Sequence, residues 1–494
     1  MSKIDRGSPV PIYHQLKTLI LDQIASGLWR PGDQIPSESE LCRLYGISRA
    51  PVRQALKELE YEGVLVRRSG AGTFVNRYVS PAPQNVPIQM MCSDSHWGDF
   101  LQRVEQEWNA AHPQRAISFR VEVVSHTHFY ELLSAAVGRG AAPDVAMVDC
   151  VWVAGLAKSG FLYPLEDLSA PNNHLGFGKD LYPAFVAANS YRGHLFGLPV
   201  KADLSVLWYR KDWFDDEGLT PPRDWDGLIE VARHLLQPPV QKRYGYVHPL
   251  AFPGGTAGGE ATVYTLLSFI WSAGGDIFEG GEIVLDSPAT RRALQFLRDL
   301  VVTYQVASPQ VTQYREDTAP LLFATGKVAM ALGGSYEGDL IRRASGWMDG
   351  VFDERVGFVL PPSAPGGEAA TTIGGTSYVF LRQSKQPQEV MEVFRFATDP
   401  RRVSGYYREM LQILPSPSFN QMVAADTEPL LAWVSEKIAS GRARPSIPDY
   451  ARVSRQLQRM FETVFAEPTP VEQITRRTAE RIAVITDLSC RETF

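Results

Sequence analysis

The sequence predicts a multidomain chain in which a small α+β head precedes a larger α/β body. Three observations carry that reading. At 494 residues the chain is longer than one hydrophobic core sustains. Residues 1–77 hold eleven Lys and Arg against eight Asp and Glu, a charge of +3, which leaves −9 for the rest of a chain whose net charge is −6. The apolar pattern also changes, from helical spacing to alternating strands and helices, across a stretch containing Pro81, Pro83 and Pro87.

Composition excludes several classes at once. With 44% hydrophobic and 21% charged residues the chain is globular, neither disordered nor collagen-like nor stapled by disulfides. No apolar run reaches the length of a bilayer-spanning helix, so no membrane partner is expected. The residues from Met1 to Pro9 lack the apolar stretch of a secretory signal, and no Cys stands near them as a lipid anchor, so the expected compartment is the cytoplasm. Cys42, Cys92, Cys150 and Cys490 form no C-x-x-C pair and are expected to be reduced thiols rather than zinc ligands.

The head reads as three helices and a hairpin. Ile12, Leu16, Leu19, Ile20 and Ile24 recur at helical spacing until Gly27 and Pro31-Gly32 stop the helix. Ser37 followed by Glu40 is a capping box that starts a second helix, which ends near Gly46. Ser48 is placed to cap a third, whose Val52, Leu56 and Leu59 point inward while Arg49, Arg53 and Lys57 step by four along another stripe. By itself such a stripe is an ordinary solvated face. Here it begins at a helix N-terminus, the end that a recognition helix inserts into the major groove. Val64 to Arg68 and Thr73 to Val75 then read as two short strands around the glycine-rich tip Ser69-Gly70-Ala71-Gly72.

The ordered run Pro11-Ile12-Tyr13-His14-Gln15-Leu16, Pro31-Gly32-Asp33-Gln34-Ile35-Pro36-Ser37-Glu38, Ile47-Ser48-Arg49-Ala50-Pro51-Val52-Arg53 and Gly70-Ala71-Gly72-Thr73-Phe74-Val75 resembles the winged helix-turn-helix head of the GntR family of bacterial transcription regulators over residues 8–77. The resemblance implies that Arg49 and Arg53 contact bases or phosphates, that Ser37, Ser48 and Pro51 line the DNA backbone, and that Gly70 at the wing tip enters the minor groove. Arg68 at the wing is counted with them. It further implies double-stranded operator DNA and a homodimer. Ser39 and Ala50 depart from the family pattern, which bears on the operator sequence.

After a linker at 78–86, the body at 87–494 alternates strands and helices. Ile88 to Cys92, Ile117 to Val124 and Val145 to Val148 read as strands, with helical stripes between them, and ligand-facing loops are expected at the strand carboxyl ends. Those ends carry Asp94 to Trp97 and Asp149 to Trp152. An aromatic ring beside a carboxylate suits a sugar, the ring stacking on the pyranose face and the carboxylate accepting from hydroxyls. A single Trp or Asp at a strand end serves equally well in packing or capping.

The motifs Gly197-Leu198-Pro199-Val200, Leu207-Trp208-Tyr209-Arg210, Phe323-Ala324-Thr325-Gly326-Lys327, Gly333-Gly334-Ser335-Tyr336 and Ile373-Gly374-Gly375-Thr376 resemble the family 1 extracellular solute-binding proteins that serve ABC importers for sugars, from about residue 86 to about 490. The resemblance implies a two-lobed α/β, periplasmic-binding-protein-like fold of type II. Lobe 1 is expected at about 87–200 and 377–425 and lobe 2 at about 206–375 and 426–494, with hinge crossovers near Val200 to Ser205 and near Thr376. Carried over by position, Asp203, Tyr264, Tyr336 and Thr376 fall at ligand-binding positions, with Trp97, Asp149 and Trp152 from the opposing lobe. Tyr450 is a further candidate.

Nothing adds up to an enzyme. No G-x-S-x-G, H-E-x-x-H, Walker or dinucleotide fingerprint stands in its proper setting, so no catalytic residue, metal or cofactor is expected. Gly254 to Gly259 is expected to be a flexible loop, and His126 and His128 a surface pair on one face of a strand. Glu260 is either a ligand carboxylate or a helix-start residue. The expected function is a ligand-responsive transcription regulator whose effector is a mono- or oligosaccharide. The alternative is a solute-binding component or adaptor of a sugar importer with a vestigial head.

Overall fold

The computed structural model describes residues 4, 11–25, 28–30, 32–61, 64–68, 72–76, 86–94, 96–168, 180–348, 350–424 and 428–491. In the head, α1 (Ile12–Ala25), α2 (Glu38–Tyr45) and α3 (Arg49–Tyr61) bury one shared core, in which Leu16 and Ile20 meet Leu41, Val52, Leu56 and Leu59. The capping box forms as expected. The Ser37 N–H donates to the Glu40 carboxylate at 2.7 Å and the Glu40 N–H donates back to the Ser37 hydroxyl at 3.3 Å. Gly46 ends α2 at φ 64°, a left-handed turn that favours glycine. The wing is an antiparallel hairpin of β1 (Leu65–Arg68) and β2 (Gly72–Val75), with Leu65 opposite Val75 and Arg68 opposite Gly72. Residues 69–71 of its tip, including Gly70, and residues 78–85 of the linker lie outside the described residues, while Val86 already belongs to the first strand of the body.

The body is two sheets joined by crossing strands. The chain lays down β3 (Val86–Cys92), α4 (Trp97–Ala111), β4 (Ile117–Val123), α5 (His126–Gly138), β5 (Val145–Asp149) and β6 (Gly197–Pro199), then crosses into the second sheet with β7 (Asp203–Arg210). That sheet is completed by β8 (Leu250–Ala251), β9 (Met330–Gly334), β10 (Val356–Val359) and β11 (Thr372–Gly374), with α6 (Glu260–Ser272) packed against it. At Gly375 the chain returns to the first sheet as β12 (Thr376–Phe380). The short β13 (Arg442–Ala443) joins the second sheet, and α7 (Tyr450–Ala466) and α8 (Val471–Thr486) close the chain.

The strand orders are β4-β3-β5-β12-β6 in the first sheet and β8-β9-β7-β11-β13 in the second, where β10 also pairs with β7. Strands β3, β4 and β5 run parallel, whereas β12 is antiparallel to both β5 and β6. β7 and β11 are antiparallel neighbours. Two adjacent strands therefore carry the chain between the lobes, the arrangement that permits hinge closure. Val200, Ala202 and Leu204 on the first crossover belong to the same apolar cluster as Met90 and Val145, so one packed core runs through the hinge.

Two expectations are corrected. His126 to His128 lie in the first turn of α5 rather than on a strand, so the two rings do not share a face as they would at strand period. Gly254 to Gly259 is a packed turn instead of a loose loop: a Cβ at Gly255 would meet the Thr312 carbonyl at 2.6 Å and one at Gly258 the Thr262 hydroxyl at 2.6 Å. Its glycines answer close approach rather than motion. Among the described residues no helix is long and apolar enough to cross a membrane.

Candidate functional site

The head presents one basic face. Ser37, Ser48, Arg49, Arg53 and Arg68 are exposed, with Pro51 half-buried beside them. The side of α3 that carries Val52, Leu56 and Leu59 is spent on the core, which leaves the arginine side outward. Glu38 at the start of α2 accepts from Arg53 Nε at 2.9 Å and from Arg67 Nη2 at 3.2 Å, and the Arg53 hydrogen bond is the chief cause that holds its carboxyl below the ordinary range. This contact draws the start of α2, the basic helix and the wing strand together. Arg68 lies with its guanidinium 4.9 Å from the Phe74 ring centre. Sequence reasoning named Arg53 but missed Glu38 as its partner, and Arg67. The three sit 15 and 29 positions apart, and no local pattern links them.

The second site lies where the chain crosses between the sheets. Asp149 ends β5 directly opposite Thr376, and Asp203 opens β7 directly opposite Gly374, so the turn Gly374-Gly375-Thr376 sets two carboxylates side by side. Gly374 has no room for a side chain: a Cβ there would stand 2.8 Å from Asp203 Oδ1, 2.8 Å from the Tyr264 ring and 3.0 Å from Arg444 Nη2. Tyr264 comes from α6, and Tyr336 follows β9 with its ring centre 5.9 Å from that of Tyr264. The structure thus gathers Asp149, Asp203, Tyr264, Tyr336 and Thr376 around one turn.

Arg444, just after β13, occupies the middle of this cluster. It donates to both Asp149 oxygens at 3.2 and 3.0 Å and to Glu260 at 2.7 Å, and its guanidinium lies 5.2 Å from the Tyr264 ring centre. Glu260 also accepts from Tyr450 Oη at 2.6 Å and from the Ser454 hydroxyl. It opens α6 and serves the network as well, so both readings of it hold structurally. Burial opposes the charge on Arg444, but Asp149 and Glu260 hold its pKa well above the usual value. Burial likewise pushes Asp203 up to about 6 and Glu337 up to about 8, the latter accepting from Trp208 Nε1 at 3.0 Å. Several polar atoms here are buried and unpartnered: Tyr264 Oη, Thr376 Oγ1, Ser377 Oγ and Arg444 Nε. Such atoms are uncommon in folded proteins, and their concentration at the crossover suits a site that a polar ligand completes.

Two of the expected ligand residues stand elsewhere. Trp97 is 1% exposed; its Nε1 donates to Tyr378 Oη at 2.5 Å, and its ring packs on Phe100 and Tyr406, with Lys201 Nζ 4.7 Å from its centre. Its faces are covered by the aromatic core behind the crossover. Trp152 packs beside His126, ring centres 4.9 Å apart, at the floor of a groove of about 1310 Å³ whose lining includes Tyr130, Thr256, Glu260 and Ser454. Through Glu260 and Ser454 the groove reaches the Arg444 network. Sequence reasoning missed Arg444 entirely. Its one local signal is a lone Arg before Pro445, and its partners are 295 and 184 positions away.

The arrangement can hold a polar molecule by hydrogen bonds from carboxylates and hydroxyls against tyrosine rings. No set of three or more His, Cys, Asp or Glu placed to hold a metal occurs among the described residues.

Comparison with known proteins agrees with both halves. The profile of the family described as bacterial extracellular solute-binding protein matches residues 96–402, and that of bacterial regulatory proteins, gntR family, matches residues 12–75. A probable ABC transporter-binding protein of Deinococcus radiodurans is 30% identical over 264 residues, which are 52% of this chain and 58% of that protein. The histidine utilization repressor of Klebsiella aerogenes is 51% identical over 70 residues, 14% of this chain and 29% of the repressor. This chain therefore spans less than two thirds of either relative. The crystal structure of an ABC transporter solute-binding protein from Thermotoga lettingae, bound with α-D-tagatose, superposes with a TM-score of 0.72 at 23% identity, over 81% of this chain and 100% of that one, a likeness of fold. With a match that spans more than half of its length, the chain belongs to the bacterial extracellular solute-binding protein family, and it carries a winged helix of the gntR family of bacterial regulatory proteins as its head.

Proposed function

We propose that this protein is a ligand-responsive transcription regulator that binds operator DNA through the basic face of its head and senses a carbohydrate between the lobes of its body. The observation that carries the reading is the joining, in one chain, of an exposed arginine face on a winged helix to a two-lobed body with unpartnered polar groups at its crossover. The tagatose bound by the Thermotoga protein supports a sugar as the effector class. Arg49 and Arg53 read bases or phosphates, Ser37, Ser48 and Pro51 line the backbone, Arg68 follows the wing, and Gly70 meets the minor groove. Asp149, Asp203, Tyr264, Tyr336 and Thr376 hold the effector, and Trp152 lines its approach. The protein works as a homodimer in the cytoplasm, the compartment that holds its DNA. Nothing in this reading calls for catalysis.

Coupling follows from geometry. A dimer must set its two recognition helices about one DNA turn apart to bind both half-sites, so a change of lobe angle in the bodies alters how well both heads dock. The ligand shifts operator affinity to the extent that it binds one arrangement better than the other.

The direct test pairs two measurements on the full chain. Operator retention at rising salt should fall steeply in the parent and be lost in Arg53→Ala, while that variant keeps its ligand response. A thermal-shift screen against sugars and polyols should raise the melting temperature with at least one compound, and Asp203→Ala should remove that shift without changing operator affinity in the absence of ligand. Unchanged DNA binding by Arg53→Ala would remove that helix from the interface, and a parent chain that retains no DNA would instead favour the importer-adaptor reading with an idle head.

A further inference from the structure

We propose that the sugar taken at the crossover carries a free ammonium group, which pairs with Asp203, and that phosphorylated sugars are excluded. This rests on the carbohydrate-sensor reading above and adds the charge of the ligand to it.

The cations around the turn are already engaged. Arg444 is bidentate on Asp149 and also holds Glu260. Lys201 Nζ donates to Asp94 at 2.6 Å. Asp203 is different. It is 8% exposed and, among the described residues, has no cation within salt-bridge distance. Tyr264, 3% exposed, directs its hydroxyl to Asp203, and that hydroxyl has no other partner among the described residues. Three carboxylates, Asp149, Asp203 and Glu260, thus face one guanidinium whose Nη groups are all engaged.

A buried carboxylate without a counter-charge is unfavourable, and a hydroxyl supplies a hydrogen bond but no charge. An ammonium supplies both, since it brings three donors and a positive charge in a compact group. A phosphate at the turn would bring further negative charge beside three carboxylates, where Arg444 and Lys201 are already engaged. The Tyr264 hydroxyl, donating to Asp203, keeps a lone pair with which to accept from the ammonium or from a sugar hydroxyl next to it.

The test is calorimetric titration of the full chain at pH 7.5 with matched sets built on glucose, galactose and mannose: the neutral sugar, its 2-amino-2-deoxy form, the N-acetylated form of that amine and the 6-phosphate. In at least one set the amine should bind about ten-fold tighter than the neutral parent, the size expected of one charge-assisted hydrogen bond. N-acetylation, which keeps the nitrogen and removes its charge, should erase that preference, and the 6-phosphate should give no binding. In Asp203→Asn the amine should bind no better than the neutral sugar. The acetylation comparison needs no variant and stands even if Asp203→Asn does not fold. A neutral sugar that binds as tightly as its amine, a phosphate that binds tighter than either, or an amine preference that survives Asp203→Asn would overturn the assigned charge and leave the carbohydrate reading in place. If no member of any set binds, the carbohydrate reading falls and this inference falls with it.

Discussion

Two ionic triads stand in the two halves of this chain, opposite in composition and in burial. In the head one acid, Glu38, lies between two bases, Arg53 and Arg67, whose side chains are 65% and 62% exposed. In the body one base, Arg444, lies between two acids, Asp149 and Glu260, and its side chain is 2% exposed. The first is exposed to water and screened by salt, so its pairs contribute little to stability and break at small cost. The second is cut off from water, so its members depend on one another, and removing one strands the charge of the others. The exposed triad can open at little cost, and the one that ties elements together is built dry.

The largest effect that would break this contrast belongs to Arg444. Arg444→Met should lower the unfolding free energy by about 3–5 kcal/mol, read from urea denaturation, because it strands two buried carboxylates. Adding Asp149→Asn and Glu260→Gln should restore most of the loss; a single substitution that is neutral would show the network to be as weak as the one in the head.

Next comes Asp203. Its pKa of about 6 in the folded protein lies above its ordinary value of 3.8, so the native state binds this proton more tightly than the unfolded chain does. Its ionised form therefore detracts from stability above about pH 6, and the penalty fades as pH falls towards 4. Asp203→Asn should be more stable than the parent by about 2–3 kcal/mol at pH 8 and equal to it near pH 4. The difference between variant and parent isolates Asp203 from Glu337, whose pKa of about 8 acts with the same sign over a higher range. A pH-independent difference would remove the buried charge from the account.

The smallest stability effect is expected at Glu38. Glu38→Gln should change folding stability by less than about 1 kcal/mol, yet strengthen binding to unrelated duplex DNA and steepen its salt dependence, because Arg53 and Arg67 lose their competing partner. Fluorescence anisotropy over a salt series reads both. Weaker binding would make Glu38 an organiser of the arginines rather than their competitor.

Much of the fold was legible because its signals are local. The capping box at Ser37 and Glu40 needs only a spacing of three, and the short apolar run that marks β5 places Asp149 at a strand end without knowledge of its neighbours. Trp97 and His126 show where local reading stops. A tryptophan after a strand serves equally well as a stacking platform or as core, and Trp97 became core because Tyr378, from a strand returning 281 positions later, meets its Nε1. The His-Thr-His run carries no helix signal of its own, and the ladder of Phe129, Leu133 and Ala136 against the first sheet draws it into α5. The glycines at 254–259 read as slack, when their reason is the proximity of Thr312 and Glu462.

Spacing and polarity along the chain were enough to set the two-part architecture, the helices of the head, the outward arginines of α3 and the carboxylate at the end of β5, because hydrophobic period and capping act over a few residues, whereas Asp203 was placed by the family resemblance. The partners were settled in three dimensions: Glu38 between Arg53 and Arg67, Arg444 between Asp149 and Glu260, and Asp203 with no cation among the described residues within salt-bridge distance. Those pairings depend on which distant segments share a buried space, and the energy of a charge depends on that space, on its water and on its neighbours, far more than on the residue that bears it.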